Sequence, residues 1–391
     1  RDTVATAQQV TDMALYFKRL GWEVTVFTDH RRYENRDEKM AKKEMYEGIC
    51  IRRIATTAYG KRSKLGRIVD AMSFHVGLFI KLMFSRQFDY AVAFTSPPFV
   101  GFTTAIYCKL RRVKFVQWVF DLHPDTAIAA GYLKEKSLST KILRSCLRWM
   151  VRQASCLVVL DKWMKDRLVG YGCGPEKVLI IPPWPVQKKI PALEGPSEFR
   201  KLYGLEGKFL VLYSGNHSPV HPLDTLLEAA VKLKWDTDVA FVFIGGGVRT
   251  KDVKAYIDKH QLYNVHQLPF QPRELLHDSL ASADLHAVVM GAEVSGLVHP
   301  SKVYGILASG SPFVFVGPKE SAVSEILNEC PCGHQVEHGQ VDGLIDIIRR
   351  CQALSLEERQ SYLKKNTQFV EKRYSMSRSM ELFSQTLHSS I

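Results

Sequence analysis

The sequence contains no run of about 18 uninterrupted apolar residues, so no transmembrane helix is expected. The nearest candidate, YAVAFTSPPFVGFTTAIYC (90–108), is broken by Ser-Pro-Pro-Phe and reads as strand, turn and helix. No signal peptide, low-complexity tract or solenoid-period repeat is visible. Cysteine is scattered rather than clustered: the eight residues include Cys50, Cys108 and Cys156 inside apparent strands or helices. That usage predicts reduced thiols in a cytosolic compartment. Cys330-Pro-Cys332 is one residue short of a CxxC and has no second pair, so no metal site is expected there. Helix-turn-helix, zinc-finger and RNP motifs are also missing, and basic residues do not interleave with exposed aromatics. Nucleic acid is thereby disfavoured as a partner. A Rossmann-like domain opens with a strand and a Gly-rich turn, and here the sequence begins inside an apparent helix, VATAQQVTDMALYFKRLG (4–21).

What is present points to two α/β domains. A chain of 391 residues exceeds one ordinary core. Its formal charge of +13, from 53 basic and 40 acidic residues, suits a polyanionic partner: nucleic acid, an anionic membrane or phosphorylated substrates. Short β-rich runs alternate with helix-period segments in two series. The first is EVTVFT (23–28), ICIRRI (49–54), YAVAFT (90–95), VKFVQWVF (113–120), CLVVL (156–160) and VLIIP (178–182). The second is FLVLYSG (209–215), VAFVFIGGG (239–247), VHQLPF (265–270), LHAVVM (285–290) and PFVFVG (312–317). Runs apolar throughout and separated by helices predict parallel strands covered on both faces, hence two doubly wound Rossmann-like domains. The Pro-rich stretch PPWPVQKKIPALEGP (182–196) reads as the linker. The expected division is 1–184, 185–370 and a terminal helix, 371–391, packing back on the first domain.

In open α/β sheets, ligands bind beyond the carboxyl ends of the strands. Four loops of the second domain end there. In LYSGNHSPVHPLDTLLEAA (212–230), Gly215 permits close backbone approach, and His217 and His221 flank the turn as donor contacts or plain turn residues. In FIGGGVRTKDV (243–253), Gly245, Gly246 and Gly247 end a strand and Arg249 suits a phosphate. Phe270 and Gln271 could pack a flat base. In HPSKVYGILASG (299–310), Ser301 and Lys302 stand at a helix N-terminus, which attracts anions. Gly305, Ala308, Ser309 and Gly310 are expected to let that helix pack closely on its sheet. In the first domain, FDLHPDTAIAAG (120–131) puts Asp121, His123 and Asp125 after a buried strand, as a polar site or as caps of the next helix.

Together YSGNH, FIGGG, PFQPRE (269–274), SLASADLH (279–286), GLVHPSKVYGILASGSP (296–312) and FDLHPDTAIAAG resemble the family 4 retaining glycosyltransferases of the two-domain GT-B fold. Within them the chain is most similar to the WcaI- and WbuB-like group of bacterial transferases that assemble colanic acid and O-antigen. The resemblance implies two domains facing across a cleft, the second holding a nucleotide-sugar (a UDP-sugar favoured) and the first a glycan or polyprenyl-linked acceptor. It places Ser301 and Lys302 at the donor diphosphate, Gly215, Asn216 and His217 at the cleft turn, Gly246 and Arg249 beside them, and the base by Phe270 and Gln271. Many members carry a Glu-x7-Glu pattern; the aligned positions here are Leu297 and Gly305, which leaves ribose recognition open. Gly296 and Leu297 stay in the donor loop, and Glu293 either contacts the sugar or faces solvent. The implied chemistry is hexosyl or N-acetylhexosaminyl transfer with retention, in which the leaving diphosphate helps deprotonate the acceptor. Asp121 and His123 would position the reacting sugar, without metal or other cofactor. A nucleotide-sugar 2-epimerase on the same fold is the rival, followed by a basic nucleic-acid-binding protein.

A final expectation concerns localisation. In SLSTKILRSCLRWMVRQ (137–153), Lys141, Arg144, Arg148 and Arg152 form one cationic stripe, and GKRSKLGR (60–67) precedes the apolar MSFHVGLFIKLMF (72–84). Either these are core helices with solvated charges, or the first domain docks peripherally on the inner face of an anionic cell membrane.

Overall fold

The computed structural model describes residues 5–31, 38–59, 64–185, 197–330 and 333–389. Most of the linker, residues 60–63 of the basic stretch, and Cys332 lie outside the described residues. In chain order the first half comprises α1 (Ala5–Arg19), β1 (Thr25–Asp29), β2 (Lys43–Tyr46), β3 (Ile49–Ile54), α2 (Lys64–Met83), β4 (Tyr90–Ala93), α3 (Val100–Arg111) and β5 (Lys114–Trp118). It continues with α4 (Asp125–Ala129), α5 (Leu138–Gln153), β6 (Cys156–Val159), α6 (Lys162–Gly170) and β7 (Val178–Ile180). The second half comprises α7 (Glu198–Leu202), β8 (Phe209–Ser214), α8 (Asp224–Lys232), β9 (Val239–Ile244), α9 (Thr250–His260), β10 (Val265–Leu268), α10 (Arg273–Ala281) and β11 (Leu285–Val289). Then come α11 (Lys302–Ser309), β12 (Phe313–Val316), α12 (Ala322–Glu329), β13 (Gly333–Val336), α13 (Val341–Gln352), α14 (Leu356–Arg373) and α15 (Met376–Ser389).

The chain divides into two compact units, 1–124 with 135–186 and 376–391, and 125–134 with 187–375. In the first unit the described strands form a sheet β1-β3-β2 and a parallel sheet β4-β5-β6-β7. Strand β2, not expected from the sequence, is antiparallel to β3 and largely exposed, so it carries no apolar run. Helix α15 belongs to this unit: Phe383 meets Phe17 and Trp118 edge-on at 5.6 and 5.1 Å, and Tyr90 Oη donates to the Leu387 carbonyl at 2.8 Å. Residues 125–134, which include α4, group with the second unit instead.

The second unit is built on one parallel sheet, β10-β9-β8-β11-β12-β13. Alternate residues of its central strands feed two cores, Val211, Phe241 and Ala287 on one face and Leu210, Leu212 and Val242 on the other. Burial on both faces is why these strands read as unbroken apolar runs. Strand order reverses between β8 and β11, the switch point where the loops after two neighbouring strands part and leave a crevice.

Candidate active site

The loops after β8 and β9 are stitched together by backbone. Gly215 N–H donates to the Ile244 carbonyl at 2.9 Å, His217 N–H to the Gly246 carbonyl at 2.9 Å, and Arg249 N–H to the His217 carbonyl at 3.0 Å. The glycine run is what permits this approach. Gly245 has φ +140°, and a Cβ there would collide with the Gly215 carbonyl oxygen. A Cβ on Gly247 would strike the His217 carbonyl and the Asn216 side chain. Any side chain at these two positions would prise the loops apart.

Lys302 opens α11, and its side chain folds back to the β8 loop. Its Nζ lies 4.1 Å from the centroid of the Tyr213 ring and fills the space a Cβ on Gly215 would need. The ammonium is buried and has no hydrogen-bond partner among the described residues. Burial pushes its pKa down to about 7. Two imidazoles face it. His217 is fully buried with neither ring nitrogen partnered, and its pKa is lowered by burial and then by the Lys302 charge. His221, pushed down to about 3 by burial and Lys302, stays neutral. A buried cation without a partner is costly. Here it is flanked by two neutral rings and a phenol, with no acid in the first turn of α11 and no side-chain cap from Ser301. Such an arrangement has the chemistry to take up an anion.

The remaining residues singled out in the sequence fall into two groups. Phe270 is exposed, and its ring comes within 3.5 Å of the point a Gly246 Cβ would occupy, so it stands at the same loops. Gln271 is half-buried beside it, accepting from Tyr203 Oη at 3.4 Å and donating to the Pro269 carbonyl at 2.9 Å. Arg249 already has acid neighbours, Asp224 at 3.5 Å and Asp252 at 3.4 Å, and with His217 and His221 it lines a cavity of about 30 Å³. Gly296 (φ +71°) and Leu297 are buried, and the Leu297 carbonyl accepts from Thr126 Oγ1 of α4 at 3.3 Å. Glu293 is exposed on a short 3-10 turn, Ala292–Val294. Asp121 and His123 lie in the first unit, half-buried at the end of β5. Burial raises the Asp121 pKa and lowers that of His123, and each charge partly offsets the other's shift.

Three features depart from the sequence reading. Gly305 is not a packing residue, because a Cβ there would meet nothing within 4 Å. Gly310 is one: it caps α11 at φ +75°, and a Cβ would drive into Leu363 of α14. Sequence reasoning also missed Tyr213, whose Oη donates to the Asn216 carbonyl at 2.9 Å while its ring holds Lys302. The ring pair His299–Tyr304, bonded Nε2 to Oη at 2.9 Å, was missed as well, although both flank Lys302 in HPSKVYG.

Comparison with known proteins decides what kind of molecule carries this site. Residues 5–184 match the family described as glycosyl transferase 4-like domain, and residues 196–369 match glycosyl transferases group 1. The chain is a family 4 glycosyltransferase of the GT-B fold. The loops that bracket Lys302 thus lie in the group 1 region of the transferase, and Asp121 and His123 in the 4-like region. Among its relatives, WbjE of Pseudomonas aeruginosa, named as a glycosyltransferase, is 26% identical over 270 residues, 69% of this chain and 66% of that protein, just short of two thirds. WcaI of Escherichia coli (strain K12), named for colanic acid biosynthesis, is 24% identical over 305 residues, 74% of this chain and 72% of its own. Among solved structures, Anabaena Alr3699/HepE in complex with UDP and glucose superposes with a TM-score of 0.67 at 16% identity, covering 88% of this chain and 87% of HepE.

Proposed function

We propose that the transferase moves a hexosyl or N-acetylhexosaminyl group from a UDP-sugar to a glycan or polyprenyl-linked acceptor, with retention of configuration, in the assembly of O-antigen or a related surface polysaccharide. The observation that carries this reading is the buried, unpartnered ammonium of Lys302 at the opening of α11. A nucleoside diphosphate supplies the anion that site calls for, and HepE, of the same fold, holds UDP. In the transfer, the bond from the anomeric carbon to the diphosphate oxygen breaks as the acceptor oxygen bonds to the same carbon on the same face. The acceptor proton passes to the departing diphosphate. Lys302, assisted by the Ser301 hydroxyl and the positive end of the α11 dipole, stabilises the charge that builds on the leaving oxygens. Chain cations take the neutralising role, so activity is expected to persist in EDTA. The enzyme works on the inner face of an anionic membrane, with Lys141, Arg148 and Arg152 of α5 exposed toward lipid headgroups and Arg144 half-buried near Glu135.

Calorimetry with UDP, GDP and uridine, followed by NMR of the product anomer, tests the reading. Binding of neither diphosphate, or a sugar-nucleotide epimerised without acceptor, would sink it. The division of labour has its own test. His123, held neutral by burial, serves as a hydrogen-bond partner for a sugar hydroxyl. His123→Ala is expected to slow transfer about two- to tenfold, the worth of one neutral hydrogen bond. UDP affinity should stay within about twofold of wild type; a parallel loss would return His123 to the donor side.

A further inference from the structure

Helix α2 has two apolar sides, and only one of them is used. Phe74, Leu78 and Leu82 are buried in the first unit. Leu65, Ile68, Met72, Val76 and Ile80, spaced three or four apart, are half or more exposed, and Phe84, just past the helix end, is 89% exposed. The stripe runs along a helix about 30 Å long. A surface helix ordinarily turns its polar side to water, and a contiguous exposed apolar stripe marks an interaction surface.

The neighbouring helices extend this face. His75 of α2 bonds Thr103 Oγ1 of α3 at 2.9 Å and the Pro98 carbonyl at 3.0 Å, and Phe102 of α3 meets Trp149 of α5 edge-on at 5.3 Å. Along α5, Leu138 and Ile142 are exposed beside Lys141, Arg148 and Arg152. The sequences of α2, α3 and α5 hold nine basic residues and a single acid, Asp70. Asp70 is buried, accepting from Thr57 Oγ1 at 2.7 Å and Tyr59 N–H at 2.9 Å. The face is therefore apolar and cationic, with no exposed carboxylate from these helices. That charge pattern chooses the occupant. A second copy of the chain would set cations against cations. An anionic bilayer takes apolar side chains into its acyl boundary and offers phosphates to the cations. No helix among the described residues is long and apolar enough to cross a membrane, so α2 lies along the surface.

We propose that α2 is the element that inserts, laying the α2-α3-α5 face of the first unit on an anionic phospholipid bilayer. The proposal rests on the membrane-surface reading given above and adds to it which residues enter the lipid. Flotation with phosphatidylcholine–phosphatidylglycerol vesicles, and with phosphatidylcholine alone, separates the two. Wild type is expected to float with the anionic vesicles, retaining part of its binding at high salt because insertion is not screened. The double variant Ile68→Glu, Met72→Glu changes exposed side chains only, and should lose about tenfold or more of its partitioning at either salt. Its UDP affinity and its activity on a water-soluble acceptor should match wild type. The variant Arg148→Glu, Arg152→Glu should lose chiefly the binding seen at low salt. If the α2 variant floats like wild type while the α5 variant does not, the membrane reading stands and the assignment to α2 falls. If wild type does not float at all, both fall. A dimer in light scattering that the α2 variant dissolves would give the face to a second copy and overturn the proposal.

Discussion

Lys302→Ala is expected to weaken UDP binding by about one to two orders of magnitude while the affinity for uridine changes less than about twofold. Hydrogen bonds between charged groups are worth roughly 1.5–3 kcal/mol, and about 1.4 kcal/mol corresponds to tenfold in affinity. The residue violates a local rule, because a helix N-terminus prefers acids and disfavours a cation. It also violates a global one, since a buried ammonium should have a partner. The Tyr213 ring 4.1 Å away offers a cation–π contact, worth about 2 kcal/mol when desolvated. It does not accept a hydrogen bond from the ammonium. A structural lysine would be missed when removed; one kept for a ligand would not. The free protein is therefore expected to unfold at the same temperature or higher in Lys302→Ala. Calorimetry with UDP and uridine, and thermal denaturation without ligand, check both halves. Equal losses for the two ligands would show that Lys302 does not read the phosphate.

The same conflict between residue and rule makes this part of the site legible in the amino-acid order alone. A Ser-Lys pair opening a helix with no acid in its first turn is written in the sequence, and so are the glycines that let two loops touch. Tyr213 is not legible in that way. It lies in a buried strand, where one more aromatic reads as core, and only the fold shows its ring beneath Lys302. The parallel strands can be read from their continuous apolar runs, since both faces of each are covered. Strands β2 and β13 cannot, because KEMY is mostly exposed and GHQV is short and polar. Periodicity also fails at α2. With apolar residues on both sides, the helix is evident, but which side meets the core depends on α3 and the sheet beneath. Gly305 shows the opposite error, a small residue taken for a packing contact where the space is open.

UDP affinity is expected to fall as pH rises from 7 to 9. In the free protein, burial holds the Lys302 pKa down to about 7, so above that the side chain is increasingly neutral. A diphosphate beside it favours the charged form, and binding must then take up one proton. The cost approaches tenfold in affinity per pH unit above 7 while the complex stays protonated, and it is capped by the one to two orders of magnitude that the charge is worth, so the fall is about five- to twenty-fivefold by pH 9. Few other groups near the site compete for this window. His217 and His221 are lowered and already neutral, Tyr213 is raised by burial and stays a phenol, and a terminal phosphate has completed its ionisation, whose pKa is about 6. Stability of the free protein should move the other way. Between about 7 and the ordinary lysine value the unfolded chain binds a proton that the folded chain does not, so this group adds stability as pH rises. Lys302→Met, which keeps the length and drops the charge, should flatten both dependences together. Nucleotide titrations and thermal denaturation at pH 7, 8 and 9, each compared with Lys302→Met, carry the test. A wild-type affinity as flat with pH as that of Lys302→Met would mean that the ammonium is charged before the nucleotide arrives, and so that it already has an anion.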